Sequence, residues 1–117
     1  MQDLSNLVVY NDGELELKVS VDSETIWLTQ LQMSQLFDTS TDNVGLHLKN
    51  IYLEKELDEN STTEFFSVVR KEGNRLVKRE LKHYNLDVII CVGYRVSSLR
   101  ATKFRQWATS VLKNYIQ

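Results

Sequence analysis

The 117-residue chain contains no proline, a single cysteine and only four glycines. Because it has no proline- or glycine-rich linker, and its length suits one compact domain, we predict a single domain over residues 1–117. One cysteine excludes an intramolecular disulfide, which agrees with a reducing, cytoplasmic setting. The longest apolar run, residues 86–92, is too short to span a membrane and is interrupted by Asp87. The first residues also lack the basic and apolar regions of a secretory signal.

Charge is divided unevenly along the chain, although the net formal charge is only −2. Residues 1–69 hold 3 Lys or Arg and 13 Asp or Glu, a balance of −10. Residues 70–105 hold 10 Lys or Arg and 3 Asp or Glu, a balance of +7, and Lys113 adds the remaining +1. Phosphate binding depends on a local basic surface rather than on total charge, so this division favours an anionic partner. Pairing of the acidic and basic segments within one fold is the alternative explanation.

The first part of the chain is typical of β-strands. Apolar and polar residues alternate from Leu15 to Val21, and Asp12-Gly13 supplies the positive φ of a tight turn. We therefore predict a β-hairpin over residues 7–21, followed by a short strand over residues 25–28.

Two short helices are predicted next. Thr29 and Gln32 form a capping-box pattern that starts a helix ending at Phe37, and Ser40 caps a second helix that reaches about Glu54. The apolar residues of the second helix recur at helical spacing and form one buried stripe, namely Val44, Leu48 and Ile51.

The spacing within this pair of helices is that of a helix-turn-helix. Ser34 is small enough for close packing, Asp38 four residues later tolerates a left-handed turn, and Val44 ten residues after Ser34 anchors the second helix. Besides Asp42 and Leu46, the outward face of that helix carries the candidates for contact with DNA bases, which are Thr41, Asn43, Lys49 and Asn50. An ordinary α-hairpin that packs a core or a dimer interface is the alternative.

Two residues of the second helix oppose this interpretation. Asp42 would lie close to DNA phosphates, an unfavourable position unless it accepts a hydrogen bond from a cytosine amino group. Gly45 costs the helix about 1 kcal/mol relative to alanine.

A second hairpin is predicted after an acidic loop, Glu54 to Glu64. Residues 65–71 and 76–84 read as strands around Glu72-Gly73-Asn74. A basic hairpin that follows a helix-turn-helix resembles a wing, which holds the DNA backbone. The candidates for backbone contact are Arg70, Lys71, Arg75, Lys78, Arg79 and Lys82. A solvated edge strand, charged to prevent aggregation, is the alternative.

The remainder of the chain predicts two helices. Asn85 caps one from Leu86 to about Tyr94, and the other begins near Leu99 and continues to Gln117 without a stop signal. We therefore expect the chain to be the N-terminal part of a longer protein. Basic residues surround the start of the last helix, where cations are disfavoured, namely Arg95, Arg100, Lys103 and Arg105. Either an anionic partner or the acidic first half would explain them.

Residues suited to catalysis are few. His47 and His83 have no cysteine or histidine at metal-ligand spacing, and Cys91 lies in an apolar run typical of an inert buried thiol. No glycine-rich nucleotide motif occurs. We therefore predict that the domain is not an enzyme, requires no metal or cofactor and acts on no small-molecule substrate.

Several strings of the chain resemble the RhuM-type virulence-protein family. They include Ile26-Trp27-Leu28-Thr29-Gln30, Leu48-Lys49-Asn50-Ile51-Tyr52, Tyr84-Asn85-Leu86-Asp87-Val88-Ile89-Ile90, Val92-Gly93-Tyr94-Arg95-Val96 and Phe104-Arg105-Gln106-Trp107-Ala108. The pattern Phe104-Arg105-x-Trp107 is also similar to the N-terminal domain of phage antirepressor (Bro) proteins. Both resemblances imply DNA-associated roles in phage, mobile elements or bacterial defence. The chain departs from the usual pattern at Asp38, where the turn usually carries glycine, and at Asp42 and Leu46.

The prediction is thus an α+β domain, winged helix-turn-helix-like, with an N-terminal β-hairpin and C-terminal helices. We expect a DNA-binding module of a phage- or mobile-element-associated regulatory or virulence-type protein, with double-stranded DNA as partner and a homodimer as a possible form. A protein-interaction or oligomerisation module of a larger toxin–antitoxin-like or phage-defence protein is the alternative function.

Overall fold

The computed structural model describes residues 2–3 and 6–115, with side chains from residue 6 onward. In chain order the elements are β1 (Gln2–Asp3), β2 (Leu7–Asn11), β3 (Glu16–Val21), β4 (Ile26–Thr29), α1 (Gln30–Leu36), α2 (Thr41–Leu53), α3 (Glu59–Thr62), β5 (Thr63–Glu72), β6 (Arg75–Asn85), α4 (Leu86–Val96) and α5 (Ser98–Tyr115). The predicted α+β class is confirmed. The hairpins, the helix pair and the C-terminal helices occur where the sequence predicts them, and residues 116–117, which were predicted to continue the last helix, lie outside the described residues.

The strands form one sheet in the order β1-β5-β6-β4-β3-β2. Five of them, from β5 to β2 in that order, pair in antiparallel fashion, whereas β1 adds to the edge of β5 in parallel. The two-residue strand β1 was not predicted, because it is too short to show an alternation of apolar and polar residues.

The hydrophobic core lies between the helices and one face of this sheet. Alternation along the strands directs Leu28 and Tyr84, which are register partners, to the same face as Val19 and Ile26. Helix α5 closes one end of the core, where Phe104 meets the ring of Tyr10 edge-on with the ring centroids 5.1 Å apart. The opposite face of the sheet carries a smaller aromatic cluster of Trp27, Phe66 and His83.

Local capping sets the starts of three helices as predicted. The hydroxyl of Thr29 accepts from the N–H of Gln32, whose side chain accepts in turn from the N–H of Thr29, completing a capping box. Ser40 accepts from the N–H of Asn43 at the start of α2, and Asn85 accepts from the N–H of Val88 at the start of α4. Each cap satisfies backbone donors that have no partner within their own helix.

The acidic segment was predicted as a loop, and this prediction is wrong in part. Asp58 caps the one-turn helix α3 by accepting from the N–H of Ser61, and β5 already begins at Thr63. The start of β5 shows no alternation of apolar and polar residues, because the exposed Glu64 lies on the same face of the strand as the buried Phe66.

Beyond Ser67, β5 pairs with β6 alone among the described residues. This part of the hairpin, residues 68–79, therefore projects from the sheet as a two-stranded ribbon, which we call the arm. Gly73, at φ +61°, forms its turn. Residues 54–67, which include α3 and the first part of β5, separate α2 from the arm in the chain.

Candidate nucleic-acid interface

The connection between α1 and α2 behaves at three positions as the spacing predicted. Ser34 is buried, and its carbonyl accepts from the N–H of Thr39 at 3.0 Å. Asp38 has a φ of 53°, in the left-handed region that the turn requires. Val44 is fully buried and anchors α2 on the core. These contacts hold α2 in a defined position against α1.

The structure explains why a glycine, Gly45, occupies the interior of α2, which the sequence did not reveal. A Cβ atom at this position would lie 2.9 Å from Nε2 of Gln30, which donates to the carbonyl oxygen of Thr41 at 2.7 Å. The glycine lets the Gln30 side chain cross between the two helices, so its cost to helix stability is partly offset by this hydrogen bond.

The outer side of α2 is a mixed apolar and charged stripe. The buried stripe, Val44, Leu48 and Ile51, defines the inward direction. At 100° per residue, the opposite direction is occupied by Asp42, Leu46, Lys49 and Leu53. Leu46 is 55% exposed and Leu53 is 68% exposed. We call these four residues the outer stripe.

The four predicted base-contact residues do not share this stripe. Only Lys49 belongs to it. The side-chain amide of Asn43 donates to the hydroxyl of Thr39 at 2.9 Å, which ties it to the capping turn. Asn50 lies on the same flank of α2 as Asn43, next to Leu46, but it is half-buried whereas Lys49 is exposed. Thr41 is exposed in the first turn, on the opposite flank.

The register of the hairpin divides the six predicted backbone-contact cations into two sets. Lys71 pairs with Leu76, Lys78 with Val69 and Lys82 with Phe65, and alternation places all of these residues on the face that carries Tyr84. Arg70, Arg75 and Arg79 lie on the other face of the hairpin. The cations of the hairpin therefore do not form one surface.

On the arginine side of the arm, Glu72 bridges two of the three arginines, Arg70 and Arg79. Its carboxylate accepts from Nε of Arg70 and from Nη2 of Arg79, both at 2.9 Å. These hydrogen bonds, that of Arg79 being the larger cause, lower the pKa of Glu72 to about 2. On the lysine side, Lys82 pairs with Glu59 and lies 5.7 Å from the centroid of the Tyr84 ring. Within the described part of the chain, Lys71 and Lys78 form no ion pair.

A cleft joins α2 to the lysine side of the hairpin. Its volume is about 420 Å³, and its walls are Leu48, Lys49, Tyr52, Leu53, Glu59 and Tyr84. The cleft thus brings Lys49 of the outer stripe to the same side as the hairpin face that carries Lys82, Lys78 and Lys71, with Glu80 between Lys82 and Lys78. Along the strand, Lys82 and Lys78 are about 13 Å apart. We call these four residues the lysine face: Lys49, Lys71, Lys78 and Lys82.

The basic residues around the start of α5 are explained at least in part by pairing with the acidic half of the chain. Nη2 of Arg95 donates to Glu54 at 3.0 Å and to Glu56 at 2.8 Å. Arg100 donates to the backbone carbonyl of Leu36 at 3.4 Å. Of the two explanations that the sequence left open, pairing with the acidic half of the chain is therefore the one observed for Arg95.

The remaining titratable candidates occupy ordinary structural positions. Burial raises the pKa of the Cys91 thiol to about 11, so the thiol is protonated at neutral pH and unreactive as a nucleophile. His83 is 2% exposed, its Nδ1 lies 2.8 Å from the carbonyl oxygen of Leu81, and burial lowers its pKa. The described residues include no group of three or more side chains that could hold a metal ion. None of the described helices combines the length and apolarity needed to cross a membrane.

The arm and the two C-terminal helices lie in the part of the chain that matches a known family. Residues 61–117 match the family described as Virulence protein RhuM family. The RhuM resemblance is confirmed over these 57 of the 117 residues. The RhuM match covers β5, β6, α4 and α5, whereas α1 and α2 lie outside it. No curated protein and no solved structure matches the chain significantly.

Proposed function

We propose that this domain binds double-stranded DNA as a winged helix-turn-helix-like module of a phage- or mobile-element-associated protein. Helix α2 would enter the major groove, and the arm would act as the wing that holds the sugar–phosphate backbone. The observation that supports the proposal is that Lys49 of α2 lines the same cleft as Tyr84, whose face of the hairpin also carries Lys71, Lys78 and Lys82. Counterion release depends on such local basic groups, whatever the net charge of the chain.

Among the six predicted backbone contacts, the proposal assigns this role to Lys71, Lys78 and Lys82. Lys71 and Lys78 are exposed and free of acidic partners among the described residues, so their charges are available to phosphate. Lys82 pairs with Glu59, but both side chains are partly exposed, and such pairs contribute little net free energy. Exchange of Glu59 for a phosphate group therefore costs little.

Arg70 and Arg79 are given no role in DNA binding, because they share the Glu72 carboxylate on the opposite face of the arm. This division supplies a matched pair of neighbouring residues for an experiment. Lys78→Gln removes a charge from the lysine face, whereas Arg79→Gln removes the next charge along the strand from the other face.

The salt dependence of binding to a short random-sequence duplex tests the proposal. Four phosphate contacts predict a slope of log K against log salt concentration of about −3.6, measured by fluorescence anisotropy. Lys78→Gln is expected to make the slope shallower by about 0.9, and Arg79→Gln is expected to leave it unchanged. Absence of salt-sensitive binding, or equal effects of the two variants, would rule out the proposed surface.

A protein-interaction or oligomerisation module is the second candidate. It is favoured by the exposed apolar side chains Leu31, Leu46 and Leu53, the first of which lies on α1. Light scattering of the chain at increasing concentration distinguishes the candidates. A dimer that protects the outer stripe favours this function, whereas a dimer that leaves both outer stripes accessible is compatible with two DNA half-sites.

A further inference from the structure

The outer stripe combines two strongly exposed leucines with one unpaired lysine and, in the first turn of α2, Asp42. Leu46 and Leu53 are 55% and 68% exposed, and Lys49 lies between them on the same side of α2. None of the ion pairs of the described residues involves Lys49. We infer that this stripe recognises thymine methyl groups in the major groove, an inference that rests on the proposed DNA binding.

The position of Lys49 favours DNA over a second copy of the chain as the occupant of this stripe, whereas Asp42 suits DNA only where it accepts a hydrogen bond from a cytosine amino group. Lys49 lies at the midpoint between Leu46 and Leu53. If two copies packed through these leucines about a two-fold axis, with α2 antiparallel to α2, each Lys49 would face its own counterpart. Like charges at that position oppose the pairing. The same lysine beside a phosphate or a guanine edge is favourable, and the rest of the lysine face continues in the same direction.

The chemistry of the groove then selects the base. Thymine alone of the four bases presents a methyl group in the major groove, and an apolar side chain recognises it by burying that methyl. Seven residues of α-helix rise about 10.5 Å, which is close to three base-pair steps of about 3.4 Å. Leu46 and Leu53 are thus spaced for methyl groups about three base pairs apart. Leu46 is nearer the helix N-terminus, the part of a recognition helix that reaches bases most often.

Two alternating duplexes that differ only in this methyl group test the inference. One contains dA and dT, the other dA and deoxyuridine, and affinity for each is measured by anisotropy competition. Burial of one methyl group predicts about fourfold tighter binding of the thymine duplex for each methyl contacted. Leu46→Ala is expected to reduce this preference by about that factor. Leu31→Ala is the control, because Leu31 is 56% exposed but lies on α1, outside the outer stripe.

The outcomes separate this inference from the proposed function. Equal affinity for both duplexes, with the salt dependence intact, overturns methyl recognition and leaves DNA binding in place. A thymine preference that Leu46→Ala does not alter reflects duplex shape and also overturns it. Salt-insensitive or absent binding to both duplexes removes the proposed function itself. Dissociation of a dimer by Leu46→Ala, without a change in the ratio of affinities, would make the stripe a protein contact and the inference wrong.

Discussion

Substitution of Gly93 by alanine has two opposing effects on stability: alanine has the higher helix propensity, but its Cβ atom must fit into a tightly packed site. Gly93 is buried in α4, where it faces the end of α1 and the first turns of α5. A Cβ atom at this position would lie 2.6 and 2.7 Å from Cζ and Cε1 of Phe37 and 2.8 Å from Cβ of Ala101. Phe37 is 2% exposed and Ala101 is fully buried, so neither neighbour can move aside freely. The absence of a Cβ atom at Gly93 therefore allows α4 to pack closely against the end of α1 and against α5.

The two opposing free energies can be compared. Alanine stabilises a helix interior by about 1 kcal/mol relative to glycine. An additional methyl group in a tightly packed core costs about 1–3 kcal/mol, and three contacts below 3 Å with buried atoms place this site at the upper end of that range. We expect Gly93→Ala to lower the free energy of unfolding by about 2 kcal/mol. For a domain of this size, that corresponds to a decrease in Tm of roughly 5–10 °C.

Gly45→Ala provides the matched control. Its Cβ would meet Nε2 of Gln30 at 2.9 Å, but that atom is the end of a flexible side chain and can move. The gain in helix propensity, about 1 kcal/mol, is balanced by loss of the Gln30–Thr41 hydrogen bond, also about 1 kcal/mol. Urea unfolding of the two variants should therefore show a large destabilisation for Gly93→Ala and a change near zero for Gly45→Ala. A Gly93→Ala variant as stable as the unmodified chain would refute the packing argument.

Two further predictions concern single residues. Asp38 is held at a φ of 53°, in the left-handed region that glycine adopts most easily. Asp38→Gly should therefore stabilise the domain by up to about 1 kcal/mol, and Asp38→Ala should destabilise it by about as much. Thermal denaturation that shows the alanine variant to be more stable than the glycine variant would contradict this prediction. Burial lowers the pKa of His83 from 6.5, so the unfolded chain binds its proton more readily than the folded chain does. This contribution to stability is complete above about pH 6.5 and is lost as the pH falls toward the folded-state pKa. Urea unfolding at about pH 7.5 and 5.5 should show this loss, and a His83→Phe variant with an equal loss would exclude His83 as its source.

Much of the secondary structure could be predicted because its determinants are local. Thr29, Ser40 and Asn85 cap helices through backbone groups no more than three residues away, so the sequence alone indicates where those helices begin. The left-handed conformation at Asp38 was likewise predicted from its spacing to Ser34 and Val44. The one-turn helix α3 and the two-residue strand β1 were missed, because such short elements leave no periodic pattern.

The candidate site was predicted only in part. The sequence identified Lys49, Lys71, Lys78 and Lys82 as candidates, but it grouped them with Arg70, Arg75 and Arg79. It also chose Asn43 and Asn50 over the leucines of the outer stripe. Leu46 was already placed on the outward face, and counting 100° per residue from the buried stripe would have added Leu53. The hydrogen bond between Asn43 and Thr39 depends on the geometry of the turn between α1 and α2, so no sequence pattern predicts it.

Composition, capping residues and periodicity thus determined the α+β class, the order of the elements and the presence of many cations in the later half of the chain. Tertiary structure alone decided which of those cations lie together. The face of a strand on which a side chain lies depends on register with its neighbour, and a slip of one residue would exchange the lysine and arginine sides of the arm. The contacts of Arg95 with Glu54 and Glu56 likewise join residues about 40 positions apart, which only the packing of α4 beside the end of α2 brings within reach.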